Sequence, residues 1–278
     1  MHMQPDIELP PPFRLIRGRH GWMLANPNDV YMGRSLVTYG ECAEHEIRFL
    51  LQLLGEDGLV VEAGANMGVH TLPMARQLAG QNRVLLAFEP QPFVYRQLCA
   101  NLALNGLTNV TAWPYACGAE PGRVAFVVPD YLRAGNFGGV AMSESGSEAG
   151  SGGFEVPCVR IDDLVEKQDV ALLKIDVEGS ELRVLQGASA LIGRSRPVIY
   201  LENDRPANSA VLIEWLWHAG YRLWWHVTEL FHAGNYFGVA RNDYPGEVSV
   251  NMVAIPKETA VEAPDLIPVR ESHWHPLY

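Results

Sequence analysis

Cysteine is scarce in this chain: four in 278 residues, Cys42, Cys99, Cys117 and Cys158, far apart and with no CxxC pair. That spacing excludes a zinc ribbon or a disulfide-stapled scaffold, and reads as reduced core residues of a cytosolic protein. Basic runs are absent, and 32 acids outnumber 21 Lys and Arg for a formal net charge of -11. An acidic chain repels phosphate backbones, so nucleic acid is not an expected partner. No apolar run approaches the length of a membrane span, and the N-terminus lacks the basic-then-apolar order of a signal peptide. The expectation is a soluble, cytoplasmic, globular protein without a membrane partner; a homo-oligomer is compatible with it.

What is present is core material: 48% hydrophobic residues against 19% charged. The length fits one large domain with extensions. The reading divides it into an N-terminal arm and cap with a first amphipathic helix over 1–55, a catalytic domain over 56–257 and a tail over 258–278. In "ECAEHEIRFLLQLLG", Ile47, Leu50, Leu51 and Leu54 recur at helical spacing before Gly55. Strand-like and helical runs then alternate: "LVVEA", "HTLPMARQLAG", "RVLLAFEP", "FVYRQLCANLALNG", "NVTAWPYAC", "ALLKID", "ELRVLQGASALI", "PVIYLEN", "SAVLIEWLWHAG". Such alternation predicts a parallel sheet covered on both faces. "YRLWWHVTEL" and "EVSVNMVAIPK" have no helix between them and should pair antiparallel at one edge. The Gly- and Ser-rich excursion after "PDYLRAGNFGGV" is read as passing over the pocket, with a flexible stretch at 143–153.

Ligands of open parallel sheets bind beyond the carboxyl ends of the strands. Those ends here are Glu62 with Gly64, Asn66 and Gly68, then Glu89, then Ala116 and Cys117, then Asp176, then Glu202 and Asn203. A dinucleotide needs G-x-G-x-x-G under its pyrophosphate. The chain instead has "GANMG", with Asn66 at the middle glycine and an acid just before the turn. An acid there suits a cationic ligand without phosphate. S-adenosylmethionine has an ammonium and a sulfonium, and its ribose diol suits the acid that ends the next strand, Glu89.

"VVEAGANMGVHT", "AFEP", "IDDL", "LLKIDVEGSELRVLQGA", "PVIYLEN" and "NYFGVARN" together resemble the FkbM family of S-adenosylmethionine-dependent methyltransferases, over most of the chain. "KIDVEGSE" is the most specific of these strings. The resemblance implies a Rossmann-like class I methyltransferase: a mostly parallel seven-stranded α/β sheet, an antiparallel C-terminal strand and helices on both faces. It implies O-methylation of a hydroxyl on a small-molecule, sugar or secondary-metabolite acceptor. It also implies that Glu62, Gly64, Asn66, Gly68 and Glu89 hold the donor, with Glu62 standing where the family more often has aspartate. Tyr39, His70, Thr71, Cys117 and Asp176 are grouped with that donor site.

Methyl transfer needs an aligned acceptor, exclusion of water and a destination for the acceptor's proton. Asp176 is the leading catalytic acid, as base, positioner or ammonium partner. His226, taken to end the sixth strand, is a second candidate base, and His232 also falls near the expected mouth. Asp176, Glu202 and Asn203 together offer oxygen ligands for magnesium, an option not favoured over a side-chain base. Glu178 sits where a helix dipole also favours an acid. Glu41, Glu44 and Glu46 are read as including solvated residues at a helix start, and Trp224 and Trp225 as core rather than ring-stacking residues. The rival readings are a nucleotide-dependent oxidoreductase and a non-catalytic binding protein of methyltransferase-like fold.

Overall fold

The computed structural model describes residues 9–140, 153–260, 263 and 265–278. The flexible stretch read from the sequence lies, but for Gly153, outside the described residues.

The chain opens with a hairpin, β1 (Arg14–Gly18) and β2 (Gly21–Ala25), followed by α1 (Met32–Tyr39) and α2 (Glu44–Leu53). Then come β3 (Leu59–Ala63), α3 (Thr71–Ala79), β4 (Leu85–Phe88), α4 (Pro92–Leu104) and β5 (Val110–Trp113). A side sheet of β6 (Ala116–Cys117), β7 (Gly122–Val127) and β8 (Gly153–Val159) leads into α5 (Ile161–Leu164) and β9 (Val170–Ile175). The remainder is α6 (Glu181–Gly187), α7 (Ser189–Ser195), β10 (Val198–Glu202), α8 (Pro206–His218), β11 (Tyr221–Glu229), β12 (Val248–Pro256) and β13 (Ile267–Pro268). Both α4 and α8 begin on a proline, where the missing N–H costs nothing.

The main sheet runs β5-β4-β3-β9-β10-β12-β11-β13. β12 lies antiparallel to both β10 and β11, and β13 antiparallel to β11, while the other six strands are mutually parallel. The expected antiparallel pair therefore forms, but the reversed strand enters between β10 and β11 instead of ending the sheet. Val250 to Pro256 are buried throughout, as suits an interior strand, and two-residue β13 occupies the edge. This order, with one reversed strand before the last parallel one, is the class I methyltransferase arrangement.

The pleat divides the core into two layers. Val61, Ala63, Leu173 and Ile175 face one, and Val60, Leu85 and Leu172 the other. Two charged residues share the second face, Glu62 and Lys174, directly opposite in the β3–β9 register. They are the first sign that this part of the sheet serves more than packing.

Candidate active site

Beyond β3 the chain turns on Gly64, Asn66 and Gly68, all at positive φ (84°, 49° and 94°). A Cβ on Gly64 would lie 1.7 Å from the carbonyl oxygen of Asp176, so only glycine lets this turn press on the end of β9. Glu89 holds the turn from the other side. Its Oε2 accepts the Asn66 amide at 2.9 Å, and its Oε1 accepts the Gln91 amide at 2.8 Å. Burial pushes this carboxyl up to about 7; the two amides pull it down, and the charges of Asp176 and Glu62 push it further up.

Gly64, Phe88, Glu89, Tyr115, Cys117 and Asp176 line a cleft of about 40 Å³, closed in by Phe126, Gly138 and Val140. The segment carrying Gly138 is latched down by Gln91, whose Nε2 donates to the Phe137 carbonyl at 2.8 Å and whose Oε1 accepts from Tyr131 at 3.1 Å. The "NFGGV" part of the excursion thus covers the pocket, as read. Cys117 is buried in the wall, and burial raises its thiol well above the ordinary range, so it contributes shape rather than a thiolate.

Beneath the cleft lies a charged network. Lys174 is enclosed, with Nζ 3.3 Å from Asp176 Oδ2 and 3.5 Å from Glu62 Oε1. Burial alone would lower its pKa, but Asp176, Glu62 and Glu46 outweigh that and raise it, so it stays an ammonium. Thr71 donates to Glu62 Oε2 at 2.7 Å. Glu62, expected to face a cationic ligand, is instead wholly buried and lines neither cavity. An internal cation takes the place of the external one. Thr71 likewise orients Glu62 from beneath and reaches neither cavity.

On the far side of Asp176 opens a second cavity of about 290 Å³. Residues 31 to 46 of the N-terminal cap form one wall, and the ends of β9, β10 and β12 form the floor. Asp176, Glu178 and Gly138 line both spaces, so Asp176 stands at their junction. His70 faces the second cavity, its Nε2 3.5 Å from Glu46 Oε2.

The remaining candidates fall elsewhere. His226 lies inside β11, with three further strand residues after it; its ring packs 4.3 Å from Phe49 and its Nδ1 meets the Tyr200 hydroxyl at 2.9 Å. It lines neither cavity, and burial lowers its pKa, so the structure removes it from the base's position. Tyr39 does not lid the donor cleft: its hydroxyl donates to the Arg241 carbonyl and accepts the Asp243 amide, tying down the loop after β11. His232 pairs with Glu41 at 2.6 Å. None of the three acids read near a helix start is solvated: Glu41, Glu44 and Glu46 are buried beside Arg19 and His232, His20 and Arg48, and His70 respectively. Trp224 and Trp225 are core residues, as expected.

Of the oxygen set read for magnesium, Asn203 turns inward to Ser209 and Met252. Glu178 replaces it: single oxygens of Asp176, Glu178 and Glu202 lie within 4.8 Å of one another, an arrangement able to hold a hard divalent cation. Glu178 is not the helix-end carboxylate, a role taken by Glu181, which accepts the Gly179 amide at 2.9 Å. Glu178 instead pairs with Arg205 at 2.7 Å, while burial and Asp176 push its carboxyl up to about 7. Lys174 and Gln91 were missed in the sequence. A lysine inside "ALLKID" was a legible signal, since an apolar strand admits a charge only with a buried partner.

The Methyltransferase FkbM domain matches residues 62–223, more than half of the chain. The chain belongs to the FkbM methyltransferase family. It is 31% identical over 162 residues to "Methyltransferase sdnD" of Sordaria araneosa, covering 48% of this chain and 61% of that one. It is 26% identical over 144 residues to "Hexuronic acid methyltransferase AglP" of Haloferax volcanii, covering 51% of this chain and 54% of that one. The match thus spans less than two thirds of either relative. The crystal structure of Methyltransferase FkbM from Methylobacillus flagellatus superposes with a TM-score of 0.44 at 16% identity, covering 71% of this chain and 44% of that one. Among the described residues, no helix is long and apolar enough to cross a membrane.

Proposed function

We propose that this FkbM methyltransferase binds S-adenosylmethionine in the cleft over Glu89 and transfers its methyl group to a hydroxyl oxygen of a small molecule or sugar held in the second cavity. The observation that carries the reading is the junction at Asp176, whose carboxylate, like that of Glu178, lines both spaces. The residues fit the donor's chemistry. Glu89 keeps lone pairs beyond its two amide bonds for a ribose diol, and Phe88 and Tyr115 offer apolar walls for a purine. Admitting that purine requires the 135–140 segment to move outward from the narrow cleft.

When bound, S-adenosylmethionine supplies a methyl group on a positively charged sulfur, open to in-line attack. The chain's own work is to hold and exclude. The turn at Gly64 to Gly68 and Glu89 would fix the donor, and the latched segment with the N-terminal cap would keep water out. Asp176, oriented by Lys174, would receive the acceptor's hydroxyl hydrogen bond and then its proton.

Calorimetric titration with S-adenosylmethionine tests the reading. Binding in the micromolar range is expected, weakened by about 1.5–3 kcal/mol in Glu89→Ala, together with altered amide exchange at 135–140. A folded protein that shows no heat of binding would overturn it.

A further inference from the structure

The second cavity has a one-sided charge. Among the described residues, six that line it are acids, Glu46, Asp176, Glu178, Glu202, Asp204 and Glu247, and none is lysine or arginine. Two cations approach from outside the lining: Lys174 at Asp176, and Arg205 at 2.7 Å from Glu178 and 3.7 Å from Asp204. Bound S-adenosylmethionine, with two positive groups and one carboxylate, would offset only part of this excess.

One carboxylate oxygen in the cavity also lacks a partner. Glu202 Oε2 is buried with no hydrogen bond, and no ion pair reaches it among the described residues. His70, only 5% exposed, already faces a carboxylate, its Nε2 3.5 Å from Glu46 Oε2.

Resting on the methyl-transfer reading, we propose that the acceptor carries a protonated amine, received by Glu202 with Glu178 and Asp204 at the ends of β9 and β10, and that acceptors bearing a carboxylate are rejected. An ammonium held by carboxylates keeps its proton and has no lone pair, so it is the handle for recognition and not the methylated atom. A carboxylate in the same place would meet like charges without a lining cation to pair with. Uronic acids, named for the Haloferax volcanii relative, are therefore not the substrate class of this chain.

The test is calorimetric binding of glucosamine, glucose and glucuronic acid, three sugars of one skeleton and different charge. Each is titrated with and without saturating S-adenosylhomocysteine, and with either EDTA or magnesium. Glucosamine is expected to bind at least tenfold more tightly than the other two in EDTA. Glu202→Gln, verified as folded by its melting temperature, should remove that preference. Equal binding of the three, no binding of any, or tighter binding of glucuronic acid overturns the proposal. So does a preference that exists only with magnesium, which would assign the acids to a metal. S-adenosylhomocysteine binding without the amine preference sinks this proposal alone. The preference without any binding of S-adenosylmethionine or S-adenosylhomocysteine sinks the methyl-transfer reading and leaves an amine site.

Discussion

Lys174 and Glu62 face each other in register across β3 and β9, ammonium to carboxylate at 3.5 Å, with almost no solvent contact at either side chain. The pair ties the strand that begins the donor turn to the strand that presents Asp176. Lys174→Met would strand Glu62 in the core without its counter-charge. A loss of about 3–5 kcal/mol is expected in urea unfolding, partly recovered when Glu62→Gln is added. Unchanged stability in the single variant would mean that the Lys174 ammonium is not what offsets the burial of Glu62.

Stability should fall as pH rises from about 4.5 to about 7, because of Glu89. Below the ordinary carboxyl value of 4.5 both folded and unfolded chains hold the proton; from there to about 7 only the folded chain does. The folded state binds more protons in that window, so this contribution declines across it and is gone above about 7. The full effect is on the order of 3 kcal/mol. Glu178, also pushed up to about 7, acts in the same direction. Urea unfolding between pH 5 and 8 (roughly the window set by these carboxyls) should show the decline, and Glu89→Gln should flatten it. A slope unaffected by that substitution would place the titration elsewhere.

Gly64→Ala places a methyl 1.7 Å from the Asp176 carbonyl oxygen, at a φ of 84° that side chains rarely adopt. A loss above about 2 kcal/mol is expected, because backbone and not a flexible side chain must give way. Donor binding should fall with it. Thermal unfolding and calorimetry on the same sample measure both, and a stable variant that binds normally would show that the turn tolerates displacement.

Tyr39→Phe removes a hydroxyl that holds the Arg241 carbonyl and the Asp243 amide. About 1 kcal/mol of stability should be lost with donor affinity unchanged. A drop in affinity would return Tyr39 to the donor site from which the structure separates it.

Hydrophobic period and turn residues made the alternating strands and helices legible, because both are local properties of the chain. The strand-end rule made Gly64, Glu89 and Asp176 legible as pocket residues for the same reason: position along one strand decides them. Whether a side chain at such an end faces ligand or a neighbouring strand depends on register, which local sequence does not contain. Glu62 and Lys174 illustrate this, since they meet only because β3 and β9 are adjacent and aligned. His226 lost its expected place because β11 continues past it. The charge of the second cavity is likewise a tertiary property. Its acids come from stretches as distant as Glu46 and Glu247, and they form one electrostatic environment only when folding removes the water and chain between them.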